Sequence, residues 1–207
     1  VYLSYANSKT PSKASVNGAC TAQTCEVDPE TAVNIELGTK WNLLEDRLAV
    51  TAALFRNERQ NYRVADFDPA NPTGEQQLDG RARVDGLALG IAGHLTEAWS
   101  VFANATWLDS EVRSADYYFS TGMAGDKLLR RPTLTLTLGV EVIPNDDWTF
   151  GLSAAHLRGR DDYFFEPFPL PGYRVSLPDA TFVRVWIRRI LSDKTEISLR
   201  IENLFGE

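Results

Sequence analysis

The sequence predicts an all-β fold, part of an antiparallel up-and-down transmembrane β-barrel of about nine strands, with short periplasmic turns and long extracellular loops. Three observations predict it. Apolar and polar residues alternate with a period of two, the connections between these segments are short and long in turn, and three of the five tryptophans adjoin short connections. A sheet with one face against lipid and the other against water has these features.

The alternation is clearest over 131–143 (RPTLTLTLGVEVI), where leucines and valines take one parity and threonines, Gly139 and Glu141 take the other. Such a strand has one face in an apolar medium and one in a polar medium. Several segments of this kind exceed ten residues, and about ten tilted residues cross a bilayer. The predicted strands lie at roughly 1–9, 30–41, 46–62, 80–95, 98–112, 130–143, 147–159, 180–191 and 194–204.

The connections between these strands alternate in length along the whole chain. The short ones are NLLED (42–46), TEA (96–98), PNDD (144–147) and SD (192–193). The long ones cover about 10–29, 63–79, 113–129 and 160–179. Outer-membrane barrels have tight periplasmic turns and long extracellular loops, whereas a soluble sandwich has no reason to sort its loops in this way.

Tryptophans mark the side of the short turns. Trp41, Trp99 and Trp148 each adjoin a short connection. Indole rings favour the membrane–water interface, so the three predict a periplasmic aromatic girdle. The alternative is that aromatic residues simply favour strand ends.

Composition limits the class of protein. The chain has 207 residues, 43% of them hydrophobic and 24% charged, which argues against disorder. A mean hydropathy of −0.24, without an apolar run of about 20 residues, excludes membrane-spanning helices. A net charge of −7 argues against binding to nucleic acid. These values would also suit a soluble β-protein, and only the strand pattern separates the two.

The strand count also predicts that 1–207 is a partial barrel domain. Bacterial single-chain barrels have an even number of strands, and nine is odd. The chain begins at Val1, without an initiator Met, inside a predicted strand. We therefore expect further strands to complete the sheet edges.

The sequence carries no motif for catalysis, for a resident metal or for a phosphate-binding loop, so we expect neither an enzyme nor a cofactor. His94 and His156 lie on different strands and are expected to pack or to lie at the interface. Paired acids such as Asp161–Asp162 are interpreted as solvated turn carboxylates. Cys20 and Cys25 lie in the first long loop, where a disulfide is favoured over free thiols.

Two long loops combine aromatic residues with arginines at the strand ends. Aromatic faces beside guanidinium groups suit a flat anionic ligand, through stacking, cation–π and charge contacts. The alternative is that the rings pack the loops together and anchor them at the outer interface. The candidate ligand-binding residues are Tyr117, Tyr118, Phe119, Arg130, Arg131, Arg158, Arg160, Tyr163, Phe164 and Phe165.

Charged residues are also expected on the face opposite the leucines, inside the barrel. They suit either the wall of a water channel or contacts to a domain that fills the lumen, and the sequence does not separate these uses. The set consists of Glu36, Lys40, Arg59, Glu141, Glu196, Arg200 and Glu202.

Four strings resemble the barrel of TonB-dependent siderophore receptors. PETAVNIELGTKWNLLEDRLAVTAALFRNERQN (29–61) is similar to the family's PE…ELGTKW segment, and RVDGLALGIAGHLTEAWSVFANATWLDSEV (83–112) resembles the segment that follows. RRPTLTLTLGVEV (130–142) resembles a family strand that usually carries His where this chain has Thr133. ISLRIENLFGE (197–207) is similar to the NLF motif before the last strand.

The resemblance implies an active outer-membrane importer of ferric siderophores, with iron carried as cargo. It implies partners in the TonB complex, a ferric siderophore and outer-membrane lipid. It also implies that a plug domain with its TonB box, the earlier strands and the last strand lie outside this chain, which would then hold roughly strands 13 to 21 of 22. Alternatives are another TonB-dependent cargo, such as haem, cobalamin or a glycan, and a passive porin or adhesin barrel.

Overall fold

A computed structural model describes residues 1–10, 28–65, 76–114, 125–164 and 173–206, without the side chains of 63–65, 76–79, 114 and 163–164. The described residues form β-strands joined by turns, and none of them forms a helix long and apolar enough to span a membrane. The strands are β1 Tyr2–Thr10, β2 Glu30–Leu43, β3 Leu48–Ala65, β4 Gln76–His94, β5 Trp99–Ser114, β6 Leu134–Asn145, β7 Trp148–Arg158, β8 Arg160–Phe164, β9 Tyr173–Leu177, β10 Ala180–Ser192 and β11 Thr195–Ile201.

Nine strands form one sheet in the order β1-β2-β3-β4-β5-β6-β7-β10-β11, and every neighbouring pair is antiparallel. The other two strands, β8 and β9, pair with each other in a separate ribbon between β7 and β10. The all-β, up-and-down prediction is therefore confirmed. The sheet is open, with β1 and β11 at its edges.

The register shows which residues share a face, because residues directly opposite on antiparallel strands point to the same side. One row is almost entirely leucine, and most of its side chains are exposed, although they are apolar. An exposed apolar row of this kind is the pattern expected of the lipid-facing side of a barrel wall. The row runs through Leu3, Leu37, Leu54, Leu87, Trp107 and Leu134.

The same outer face turns from apolar to charged two residues nearer the long loops. The next row aligns Arg56, Asp85 and Asp109. Asp85 lies 2.6 Å from Arg56 and 2.6 Å from Arg83. Arg56 is the ninth residue of β3 from its short turn, and roughly nine to eleven tilted residues cross a bilayer. We infer that this row marks the extracellular boundary of the apolar band.

The opposite face points to the lumen, and register and strand alternation confirm that the predicted inward charges lie on it. Trp41, Trp99 and Trp148 all lie on the outer face beside short turns. Trp148 stacks on Phe150 with ring centroids 5.7 Å apart, and Arg189 lies over its ring. This placement is the one predicted for the girdle.

Aromatic rings cover glycines on the lumen face. A glycine leaves the space in which a ring from the facing residue of the next strand lies flat, so the ring shields backbone that would otherwise be bare. A Cβ at any of these glycines would overlap its ring. The pairs are Tyr2–Gly38, Phe55–Gly86, Phe102–Gly139 and Trp186–Gly151.

We expect Gly86→Val to destabilise the folded barrel by about 1–3 kcal/mol, because the new side chain forces the Phe55 ring from its place. Combining it with Phe55→Ala should cost less than the sum of the two single changes. The measurement is urea unfolding of the full receptor in lipid vesicles. Strict additivity of the two changes would show that ring and glycine are not coupled.

Two boundaries differ from prediction. The strand expected over 130–143 begins at Leu134, because 125–133 runs separately across the ends of neighbouring strands. The connection over 160–179 was expected to be a loop but contains the β8–β9 ribbon. Gly159, with φ of 69°, separates β7 from β8 and lets the chain turn out of the main sheet.

Candidate ligand site at the long-loop end of the sheet

The segment 125–133, called the strap here, is fixed by backbone and side-chain hydrogen bonds to β5. Gly125 N–H donates to Val112 O at 2.7 Å, and Val112 N–H donates to Asp126 O at 2.8 Å. Leu128 N–H donates to the hydroxyl oxygen of Ser110 at 3.1 Å. Val112 and Ser110 are among the few buried residues described, so the strap is attached where the wall is best packed.

The other side of the strap is attached to the β8–β9 ribbon through Arg174. The Arg174 guanidinium lies 2.9 Å from Asp161 Oδ2 and 3.3 Å from Asp126 Oδ2, and it donates to Lys127 O at 3.0 Å. Asp161 also accepts a 2.7 Å hydrogen bond from Ser176. Arg174 thus joins two long connections that are far apart in sequence.

The hydrogen bond from Ser176, together with those from Arg174, holds the pKa of the Asp161 carboxyl below its usual value, although partial burial opposes this. Asp161 was interpreted from the sequence as a solvated turn carboxylate, and that interpretation is wrong. The ribbon brings it against Ser176 and Arg174, which the sequence places in a different part of the connection.

The four predicted ligand arginines lie in different settings. Arg130, with φ of 59°, pairs with Asp162 at 2.8 Å. Arg158 lies 3.7 Å from Asp179, and Arg160 donates to a carbonyl oxygen while its Nε is buried without a described partner. Arg131 makes no ion pair or hydrogen bond with any described residue, and it is the arginine of the four that lines a cavity.

That cavity, called the strap cavity here, lies between the strap and the lumen face of β1–β4. It has a volume of about 490 Å³, within the usual range of roughly 300–1,000 Å³ for ligand pockets. Its lining is mostly apolar. The lining includes Ala6, Ala32, Ala82, Val84, Leu128, Leu129, Asn34, Asn57, Arg59 and Arg131.

Other predicted site residues lie outside the described part of the chain. These are Tyr117, Tyr118, Phe119, Phe165, Cys20 and Cys25. The backbones of Tyr163 and Phe164 belong to β8, but their side chains are not among those described. Their contribution to ligand binding therefore stays a prediction, as does the disulfide.

A second cavity of about 650 Å³ lies on the lumen face near the short turns of β6–β11. It is polar, and it is lined by Glu141, Arg188, Glu196 and Arg200 around Trp186. Three of these charges were predicted to face the lumen. Within the described ranges, no three His, Cys, Asp or Glu side chains are grouped so that they could hold a metal ion.

The two histidines each bond a hydroxyl on the neighbouring strand. His94 Nδ1 lies 3.0 Å from Ser100 Oγ, and His156 Nδ1 lies 2.9 Å from Thr181 Oγ1. Sequence reasoning expected packed or interfacial histidines; His156 is half-buried, and His94 is exposed beside a short turn. Sequence reasoning missed Arg174 and Asp126, whose only signal was their charge within long loops.

Comparison with known proteins gives the family. Residues 1–204 match the family model described as TonB dependent receptor-like, β-barrel. The probable TonB-dependent siderophore receptor PiuA of Acinetobacter baumannii is 38% identical over 117 residues, which are 54% of this chain and 15% of PiuA. The catecholate siderophore receptor Fiu of Escherichia coli is 28% identical over 186 residues, 85% of this chain and 24% of Fiu.

Solved structures agree on the fold. The chain superimposes on the crystal structure of PiuA with a TM-score of 0.75 at 27% identity, covering 98% of this chain and 29% of PiuA. Fiu in its closed form gives a TM-score of 0.78 at 23% identity, covering 99% and 28%. The chain thus spans less than a third of the length of these relatives. It belongs to the TonB-dependent receptors, as a segment of their outer-membrane β-barrel.

Proposed function

We propose that the receptor containing this barrel segment imports ferric–siderophore complexes across the bacterial outer membrane. PiuA and Fiu, the relatives described above, are named as siderophore receptors. The function is transport without covalent chemistry, so the proposed protein is not an enzyme and needs no resident cofactor. Iron enters it only as cargo.

The observation that carries the proposal is Arg131 on the strap cavity. It is a guanidinium group without a described partner at the edge of a mainly apolar cavity, on the side of the long loops. A charge of this kind suits an anionic ligand with a sizeable apolar part. Ion pairs of Arg130 with Asp162 and of Arg174 with Asp126 tie the strap to the β8–β9 ribbon, so the edge of the cavity is held in place.

The proposed partners are a ferric siderophore on the extracellular side, the TonB complex on the periplasmic side and outer-membrane lipid around the apolar band. Energy coupling through TonB belongs to parts of the receptor outside this chain. The leucine row is the proposed lipid-facing surface, and the charged row through Arg56 and Asp85 is its proposed extracellular limit.

The test is uptake of radiolabelled iron by a receptor-deletion strain that carries the full receptor. We expect uptake of at least one ferric siderophore, and its loss when the proton motive force is collapsed or TonB is deleted. Uptake that persists without TonB would indicate a passive pore, and no uptake of any ferric siderophore would refute the proposed cargo.

The predicted aromatic contacts give a second expectation. Replacing Tyr163, Phe164 and Phe165 together with Ala should weaken ferric-siderophore binding at least about tenfold, because aromatic anchors dominate ligand and partner contacts. The measurement is equilibrium binding to the purified full receptor. Unchanged affinity and uptake would assign these rings to loop packing alone.

A further inference from the structure

We propose that the strap cavity binds one flat, negatively charged ring of the cargo, such as a catecholate arm of a ferric chelate. The inference rests on the proposed function, and it specifies which chemical group the long-loop end recognises. The shape of the cavity floor, the roof above it and the charge at its edge carry the argument.

Small side chains occupy half of the floor positions in two adjacent lumen rows. One row aligns Ser8, Ala32, Arg59 and Ala82 across β1 to β4. The next row aligns Ala6, Asn34, Asn57 and Val84. Ser8 and the three alanines, four of the eight positions, leave room for a planar group to lie close to the strands.

The roof is apolar and fixed in place. Leu128 and Leu129 of the strap also line the cavity. The strap is held on one side by Ser110 and on the other by Arg174. A planar ring between leucine roof and alanine floor is removed from water on both faces, at about 25 cal/mol for each Å² of apolar surface buried.

The charge of the cavity is positive. Arg59 is ion-paired with Glu30, so its charge is balanced. Glu58 contributes to the lining, but strand alternation places its side chain on the outer face with Arg56. Arg131 therefore supplies a positive charge that no described acid neutralises, and an oxyanion on the bound ring would meet it.

An amide pair in the floor adds hydrogen-bonding groups. Asn34 Nδ2 donates to Asn57 Oδ1 at 2.5 Å. This bond orients both amides and leaves the Asn57 amino group free to donate to a ligand oxygen. A ring that carries oxygen substituents fits this combination better than an alkyl chain does.

Two variants test the proposal in the purified full receptor. Arg131→Gln removes the charge, and Ala82→Leu fills the floor. The matched controls are Arg81→Gln on the outer face of β4 and Ala88→Leu on the lumen face nearer the short turn. The probes are ferric tris-catecholate and a ferric tris-hydroxamate with alkyl arms, and the dissociation constant of each is measured.

We expect both test variants to weaken ferric tris-catecholate binding at least about tenfold, with hydroxamate binding and both controls within about twofold of wild type. Equal effects on the two chelates would overturn the ring assignment. A wild-type receptor that does not bind the catecholate would also overturn it. The same holds if Ala82→Leu lowers thermal stability and leaves the affinity unchanged, because the cavity would then hold the receptor's own chain.

The two proposals fail in different ways. Binding that depends on Arg131 and Ala82, without uptake in cells, would refute import and leave the cavity assignment standing. Uptake with affinities indifferent to both substitutions would refute the cavity assignment and leave import standing.

Discussion

Leu138→Arg is expected to abolish assembly of the full receptor into membranes. Leu138 lies near the middle of β6 on the lipid-facing side, and its side chain is 48% exposed. An arginine facing lipid near the bilayer centre costs about 2–4 kcal/mol, and less near the interfaces. The measurement is the fraction of receptor that folds into vesicles, read from the heat-dependent gel mobility of barrels.

The matched control is Thr137→Arg, one residue away on the lumen face. Thr137 faces Asn104 on β5 and Ala155 on β7, on the water-facing side of the wall. We expect this variant to assemble at close to the wild-type level. If the two variants assemble equally well or equally badly, the assignment of faces is wrong for β6.

The sequence predicted the sheet because each strand in it carries its own evidence. In β6 the leucines at 134, 136 and 138 alternate with threonines, and that alternation alone determines which face meets lipid. Register then follows from tight turns such as 146–147, which leave little freedom to slip. Fold and facing were therefore accessible without any knowledge of distant contacts.

The β8–β9 ribbon was not accessible in the same way. RDDYF over 160–164 is short and carries two adjacent acids, which are typical of a turn. Its partner, YRVSL over 173–177, has a strand-like pattern, but a five-residue strand has little signal when considered alone. Only the pairing itself makes either segment a strand.

The strap network escaped prediction for a related reason. Asp126 and Arg174 belong to different long connections, so no periodicity relates them. Sequence reasoning predicted a ligand site from four arginines and the aromatic residues of two long loops at this end of the barrel. It gave all four equal weight, whereas the structure pairs Arg130 with Asp162 and leaves Arg131 at the cavity.

Arg174→Gln is expected to release the strap and to weaken cargo binding about tenfold or more. The substitution removes the charge that bridges Asp126 and Asp161 and the hydrogen bond to Lys127 O, so the contacts of Arg174 with the strap are lost. Hydrogen exchange at 125–131 should become faster, while exchange in β2 and β3 stays as in the wild type. Exchange and affinity in Arg174→Lys should lie between those of the wild type and of Arg174→Gln, because an ammonium group keeps the charge but lacks the planar, forked hydrogen-bond donors of a guanidinium.

Arg184→Gln is the control, since Arg184 also joins two segments, through a 3.3 Å contact with Glu202, but lies away from the strap. It should change neither exchange at the strap nor affinity. A strap that exchanges at the wild-type rate in Arg174→Gln, with unaltered affinity, would mean that its hydrogen bonds to Ser110 and Val112 and the Arg130–Asp162 ion pair suffice to hold it.

Strong acid should break the contact between Asp161 and Arg174, because it protonates the Asp161 carboxylate. Its pKa is lowered in the folded receptor, mainly by Ser176 and also by Arg174. A group of this kind stabilises the fold above its unfolded pKa, about 3.9 for Asp, and that stabilisation is lost as pH falls through the lowered folded value. Between about pH 5 and 8 the strap should therefore stay attached, with exchange at 125–131 constant after correction for intrinsic rates. In Asp161→Asn the carboxylate is absent at every pH, so exchange at 125–131 should already be faster than in the wild type at pH 7. If the strap of the wild type instead loosens near pH 6, a group other than Asp161 must be titrating.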